Sequence, residues 1–279
     1  MPVKLAAFAD EADSRLEGQI RALRENRISL LEIRGVDGRN IAEITATEAR
    51  EIHRRLEEAG IGVWSIGSPS GKIGIADPFH PHLEQFKRLL ETADILGASR
   101  FRLFSFYLPE REPAAAYRDE ALERLSRFCE AAAGMDIRLC HENEKGIYGA
   151  GAAECADIHN ALPALRAVFD PANFVQCGQD ALEAWKRLEL YVDYLHIKDA
   201  AEDGRVVPAG KGIGRLSELL DRYIAAGGEV VTLEPHLLDF DGFQALEKGE
   251  EKSIAARRDY PTTRAAFDAA AAALRALLR

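Results

Sequence analysis

Glu142, Asp170, His196 and Glu234 stand near the ends of four separate apolar runs. The local sequences are Cys140-His141-Glu142-Asn143-Glu144, Phe169-Asp170-Pro171, Tyr194-Leu195-His196-Ile197-Lys198-Asp199 and Leu233-Glu234-Pro235-His236. If these runs are successive parallel strands of a barrel, their ends deliver three carboxylates and one imidazole to a single rim. Three crowded carboxylates repel one another, and one divalent cation removes that repulsion. Three carboxylate oxygens and one imidazole nitrogen suit Mn²⁺, Mg²⁺, Co²⁺, Fe²⁺ or Zn²⁺, with positions left for water or substrate. Singly, each residue has an ordinary reading: an Asp before Pro starts turns, and a lone His is commonly a hydrogen-bonded core or rim residue. It is the set of four, on four consecutive runs, that points to a shared metal site.

The elements that must position these groups are legible as alternating strand and helix patterns. Strands are predicted at 3–8, 29–33, 62–66, 100–105, 137–142, 166–170, 191–198 and 229–234. Helical spacing of three and four follows nearly every one, as in Leu16, Ile20 and Leu23 or Leu83, Phe86, Leu89, Leu90 and Ala93; the weakest pattern lies around 153–161. Gly60, Gly97, Gly134 and Gly227 close helices, and Thr262 caps the last. Eight β-then-α units predict an α/β protein, a (β/α)8 TIM barrel forming a single domain over 1–279. No G-x-G-x-x-G follows the first strand, which disfavours a dinucleotide-binding sheet. Three βα loops, 67–81, 200–215 and 235–260, are longer than closure needs and fall on the active face. The charge cluster at 247–252 reads as a solvated lid or loop.

Composition narrows the functional classes. The 279 residues are 47% hydrophobic with a net charge of -10, which supports a globular core and disfavours nucleic-acid binding. No apolar run approaches the roughly 18 residues of a membrane span. The first residues turn acidic too soon for a signal peptide, so a cytoplasmic location is expected. Cys129, Cys140, Cys155 and Cys177 form no C-x-x-C and read as free thiols in a reducing compartment.

With these residues in place, the chain resembles the xylose isomerase-like TIM barrels. That group holds sugar-phosphate isomerases and epimerases, inosose dehydratases, hydroxypyruvate isomerases and apurinic/apyrimidinic endonucleases. The resemblance rests on Glu-Ile-Arg at 32–34, Ser-Pro-Ser-Gly-Lys at 68–72, the stretch 141–149, Phe-Asp-Pro-Ala-Asn-Phe at 169–174, His-Ile-Lys-Asp at 196–199 and Leu-Glu-Pro-His at 233–236. It implies one divalent metal on Glu142, Asp170, His196 and Glu234, with Glu142 and Glu234 also moving protons on opposite faces of a sugar. The implied reaction enolises a small ketose or sugar phosphate and returns the proton to give an epimer or an isomer. An inosose-dehydratase-like lyase begins with the same step, and a non-catalytic sugar-binding barrel is the remaining alternative. Members of the resembled group are commonly dimers or tetramers, so a homo-oligomer is an expectation from the resemblance alone.

Many members carry a His three residues after the Asp of strand six, where this chain has Asn173. The endonuclease branch needs further histidines that 65–68, 103–106 and 199–203 do not supply. Lys198, two residues after His196, should share its side of the strand and could hold a substrate oxygen or phosphate; the plainer reading is a salt bridge to a barrel carboxylate. His141, His236, Glu32 and Asn173 complete the substrate-binding candidates, although strand alternation turns His141 and His236 away from their neighbouring glutamates. The glycine-rich loop 208–215 could cradle a phosphate or simply be flexible. Lys72 is a lid candidate, and Phe8, Phe104 and Phe106 could form an apolar pocket wall or belong to the core.

Overall fold

The computed structural model describes residues 3–109, 113–240 and 259–279. The charge cluster at 247–252 and most of the last long loop lie outside them.

Eight parallel strands close a barrel: β1 (Lys4–Ala7), β2 (Leu30–Ile33), β3 (Gly62–Gly67), β4 (Arg100–Leu103), β5 (Arg138–Glu142), β6 (Arg166–Phe169), β7 (Val192–Ile197) and β8 (Val230–Leu233). Each pairs with its neighbours in sequence, and β8 closes onto β1 with Ala7 opposite Leu233. The expected (β/α)8 TIM barrel is therefore the fold, with all eight predicted strands in place.

Helices α1 (Leu16–Glu25), α2 (Ala46–Glu58), α3 (Phe79–Leu96), α4 (Arg118–Ala131) and α5 (Ala152–Ala161) follow the first five strands. A short α6 (Pro171–Gln176) precedes α7 (Ala181–Leu188), and α8 (Leu216–Ala225) and α9 (Thr263–Leu277) complete the ring. Local chemistry fixes their ends. Thr45 and Glu48 form a reciprocal capping box on α2, and Thr262 accepts the Ala265 N–H at the start of α9. Gly97 ends α3 with φ 69°, a left-handed conformation that lets the chain reverse directly into β4. None of the described helices is long and apolar enough to cross a membrane.

Strand alternation separates two environments. Outward residues such as Leu31, Ile33, Phe101, Leu103, Leu139, Phe169, Leu195, Ile197, Val231 and Leu233 join the helix-facing core. Phe86, Phe128 and Phe101 lock α3 and α4 onto the strands, with Phe86 and Phe128 ring centroids 4.3 Å apart. Trp185 lies in this layer, edge-on to Phe169. The intervening residues turn to the barrel interior, where Cys140, Val168 and Tyr194 form a separate small cluster with Trp64 against it. Above that cluster the interior is charged. The pairing of β2 with β3 skips from Val63 to Ser65, so Trp64 bulges and Ser65 faces Glu32.

Candidate metal and proton-transfer site

The alternation that puts Cys140 and Tyr194 inside the barrel also puts Glu142 and His196 there, one step nearer the C-terminal rim. Glu142, Asp170, His196 and Glu234 each offer a ligand atom, and these atoms lie within 4.8 Å of one another; all four residues are buried.

Asp170 is held by its neighbours before it meets the cluster. Its N–H donates to Asn143 Oδ1 at 2.9 Å while Asn143 Nδ2 donates to its carbonyl at 2.9 Å. Asp170 then caps α6, with Oδ1 accepting the Asn173 N–H at 2.9 Å. Oδ2 is left facing the cluster. It makes no hydrogen bond of normal geometry, and Lys198 Nζ stands 2.8 Å away.

His196 has carboxylates at both ring nitrogens. Nδ1 lies 3.0 Å from Glu142 Oε1 and 3.4 Å from Glu234 Oε2, and Nε2 lies 3.3 Å from Glu32 Oε2. The other oxygen of Glu32 accepts hydrogen bonds from Tyr194 (2.9 Å) and Ser65 (3.2 Å). An Nε2–H directed at Glu32 would leave the Nδ1 lone pair facing the donor cluster, an arrangement common in metal-bound histidines. Phe8 supports the ring edge-on at 5.2 Å.

Two arginines hold the glutamates. Arg102 Nη1 donates to Glu142 Oε2 at 2.8 Å. Arg34 Nη1 donates to Glu234 Oε1 at 3.2 Å, while its remaining nitrogens bind Asp10 (2.9 and 3.1 Å) and Glu11 (3.1 Å). Phe8 lies beneath both guanidinium groups.

The charges of this buried set do not balance. Asp10, Glu11, Glu32, Glu142, Asp170 and Glu234 are buried, against the permanent cations Arg34, Arg102 and Lys198. The imbalance is visible in proton affinities. Burial raises Asp170 to about 7 against the pull of Lys198, with Glu234 and Glu142 adding to the rise. Burial likewise lifts Glu11 to about 8, partly opposed by Arg34. Burial would raise Glu142 too, but His196 and Arg102 outweigh it and hold the carboxyl at about 2. Burial disfavours the charged form of His196, yet Glu142 and Glu32 overcome it and hold its pKa well above the usual value. A desolvated set of three carboxylates and one imidazole, in which Asp170 is pushed toward its neutral form and its Oδ2 meets only the Lys198 ammonium, fits a divalent cation.

The remaining candidates are distributed unevenly. Lys198 shares the side of His196: both reach Glu234 Oε2, Lys198 at 3.1 Å. His236 also comes to the cluster, with Nε2 3.4 Å from Glu11 Oε1 and from Glu234 Oε1. Simple alternation predicts the reverse for His236. The chain leaves β8 at Pro235 and His236 has φ 44°, so regular strand geometry no longer applies. The His236 N–H is fixed by Glu11 Oε2. His141 does turn away: its Nε2 pairs with Ser105 Oγ at 2.9 Å and its ring packs on His159. Asn173 Nδ2 donates to the Asn143 carbonyl at 2.8 Å, next to Asp170. Phe104 lies at the rim under Lys72 and Arg102, whereas Phe106 belongs to the α3–α4 core.

Glycine loop 208–215 does cradle an anion, but the anion is internal. The N–H groups of Gly210, Gly212 and Gly214 donate to the Asp199 carboxylate at 2.9, 2.9 and 3.0 Å, and Ala200 N–H adds a fourth bond. A Cβ on Gly212 would come within 2.4 Å of Asp199 Oδ1, so this approach requires glycine. Sequence reasoning passed over Asp10, Glu11, Ser65, Tyr194 and Arg102. The available signal for Arg102 was a charge inside the apolar strand Arg-Phe-Arg-Leu; for Asp10 and Glu11 it was their place directly after strand one.

A family model described as xylose isomerase-like TIM barrel matches residues 23–271. No curated protein sequence matches significantly. Among solved structures, the IOLI protein with a binding zinc atom is 15% identical, with a TM-score of 0.75 and coverage of 99% of this chain and 98% of that one. L-ribulose 3-epimerase is 16% identical, with a TM-score of 0.75 and coverage of 99% and 94%. The probable 3-DHS dehydratase AsbF from Bacillus anthracis is 16% identical, with a TM-score of 0.72 and coverage of 99% and 99%. At these identities the likeness is one of fold. With its barrel closed, its donor residues gathered on the C-terminal rim and the family model spanning most of its length, the chain belongs to the xylose isomerase-like TIM barrel family.

Proposed function

We propose that this protein is a divalent-metal-dependent isomerase or epimerase acting on a small ketose or sugar phosphate. The observation that carries the reading is the convergence of Glu142, Asp170, His196 and Glu234 within 4.8 Å in a buried, carboxylate-rich setting. Those four residues would hold the ion; when bound, it acidifies the C–H beside a carbonyl by polarising the carbonyl. Its identity among Mn²⁺, Mg²⁺, Co²⁺, Fe²⁺ and Zn²⁺ is open to direct assay.

Glu142 and Glu234 come from β5 and β8, with β6 and β7 between them. Their origin on separate strands supports a two-carboxylate relay across a carbon centre. Arg102 and His196 keep Glu142 ionised at neutral pH. Lys198, together with His236 and His196, holds Glu234 well below the usual carboxylate range against the effect of burial. Either carboxylate can then accept a proton from the carbon next to the carbonyl, and its opposite number returns one after it has itself taken up a proton from solvent. Return to the same carbon inverts it; return to its neighbour moves the carbonyl. Glu32 orients His196, Asn143 and Asn173 fix Asp170, and Lys198, His236 and Asn173 remain the proposed contacts to substrate; His141, turned toward Ser105 and His159, is not among them. The four cysteines are free, in keeping with action in a reducing cytoplasm.

The test is solvent exchange. Metal-loaded protein should catalyse deuterium incorporation from D₂O into a panel of ketoses and ketose phosphates, with an epimer or isomer as product. An ultraviolet-absorbing enone would assign the lyase instead. Absence of exchange with every metal and substrate would leave a non-catalytic sugar-binding barrel.

A further inference from the structure

If the four donors share a divalent cation, as proposed above, Lys198 occupies two of them first. Its ammonium lies 2.8 Å from Asp170 Oδ2 and 3.1 Å from Glu234 Oε2, and the residue is buried. These are the oxygens each carboxylate has left for the cluster. Asp170 Oδ1 is committed to the α6 cap, and Glu234 Oε1 receives Arg34.

We propose that Lys198 is a resident cation of the metal-free site, which gives up Asp170 and Glu234 as the metal loads and thereby sets the metal affinity. Arg34 and Arg102 are unsuited to this role. Arg34 is tied to three carboxylates, and Arg102 is held between Glu142 and the faces of Phe8 and Phe104. Lysine carries a compact charge on a flexible four-carbon stem, so it can exchange partners without dismantling a planar fork of hydrogen bonds.

The backbone confines the change to that side chain. Asp199, the next residue, is gripped by four N–H groups of Ala200 and the glycine loop. The end of β7 is thus anchored while the ammonium exchanges partners. In the metal-free protein Lys198 offsets part of the negative charge that would otherwise strain the rim. Once displaced, the same ammonium is available to an oxygen of the substrate.

Titration of Mn²⁺ by calorimetry into metal-stripped wild type, Lys198→Met and Lys198→Arg, with thermal midpoints of the stripped proteins, tests this. Lys198→Met should bind Mn²⁺ about tenfold more tightly, because a competing unit charge is gone. Its metal-free form should melt roughly 5–10 °C lower, because two buried carboxylates lose their cation. Lys198→Arg should bind no more tightly than wild type. If Lys198→Met does not fold, Lys198→Gln removes the charge while keeping a hydrogen-bond donor and should show the same tightening. Wild-type binding that neutral replacement leaves unchanged or weakens would overturn the displacement role, with the metal site standing. Failure of wild type and neutral variants alike to bind any divalent metal would overturn the site reading itself.

Discussion

The two halves of the barrel contribute different things to one rim. Strands β5 to β8 deliver Glu142, Asp170, His196 and Glu234, the groups able to ligate and to move protons. Strands β1 to β4 and the turns after them deliver Arg34, Arg102 and Glu32, which touch those groups, and Asp10 and Glu11, which hold Arg34. The first half holds no member of the donor quartet, yet it supplies Arg34 to Glu234, Arg102 to Glu142 and Glu32 to His196. Donor identity and donor charge state are thus set by separate parts of the chain. Removing a donor should impair chemistry more than folding, and removing an arginine should leave a buried carboxylate without compensation.

The largest expected effect follows from the second half. Glu142→Gln and Glu234→Gln should each lower deuterium exchange and turnover by roughly 10²–10⁴-fold, the range of lost general acid–base catalysis, with circular dichroism unchanged. Near-normal turnover in either variant would remove the two-carboxylate relay.

A middle-sized effect belongs to the first half. Arg102→Met leaves Glu142 buried without its guanidinium and should destabilise the fold by about 3–5 kcal/mol in denaturant titration. Arg34→Met strips Asp10, Glu11 and Glu234 together and should cost at least as much. Arginine variants as stable as the Gln variants would erase the distinction between the halves.

The smallest effect separates the rim from the helical layer. Burial lowers the pKa of His159 to about 4 and that of His141 to about 3. The unfolded chain takes up these protons near 6.5 and the folded chain resists, so stability falls as pH drops from about 6.5 through about 4 and then 3. His159 contributes on the order of 3 kcal/mol at full extent. His159→Phe keeps the ring stacked on Tyr191 and should shrink the acid-side loss measured by thermal melts between pH 7 and 4. An unchanged profile would move the acid sensitivity to other groups.

Much of this arrangement is legible before folding. The eight strands, the helices around them and the glycine stops follow from local periodicity, because burial on a barrel strand or a surface helix imposes periods of two and 3.6. The short pairings Gly35–Val36 with Arg39–Asn40 and Asp199–Ala200 with Val206–Val207 are not legible. Two-residue strands carry no period, and their partners are chosen by the loop that joins them. Nor is the anion held by the glycine loop: an N–H-rich turn advertises an acceptor without saying whether it comes from a ligand or from Asp199. Nor is the role of Arg102: Arg-Phe-Arg-Leu offers two arginines with no local partner, and the reason for Arg102 is Glu142 on the next strand.

By itself the sequence determined which side chains of a regular strand share a face and which residue types can bind a cation or carry a proton, since the first depends on alternation along a strand and the second on residue type. Only the tertiary structure decided their company. Barrel closure sets Ala7 beside Leu233 and brings the His236 N–H onto Glu11 Oε2 across 225 positions of chain. Charge balance in a low-dielectric interior depends on distances of a few ångströms, and those distances arise from contacts that no stretch of sequence contains alone.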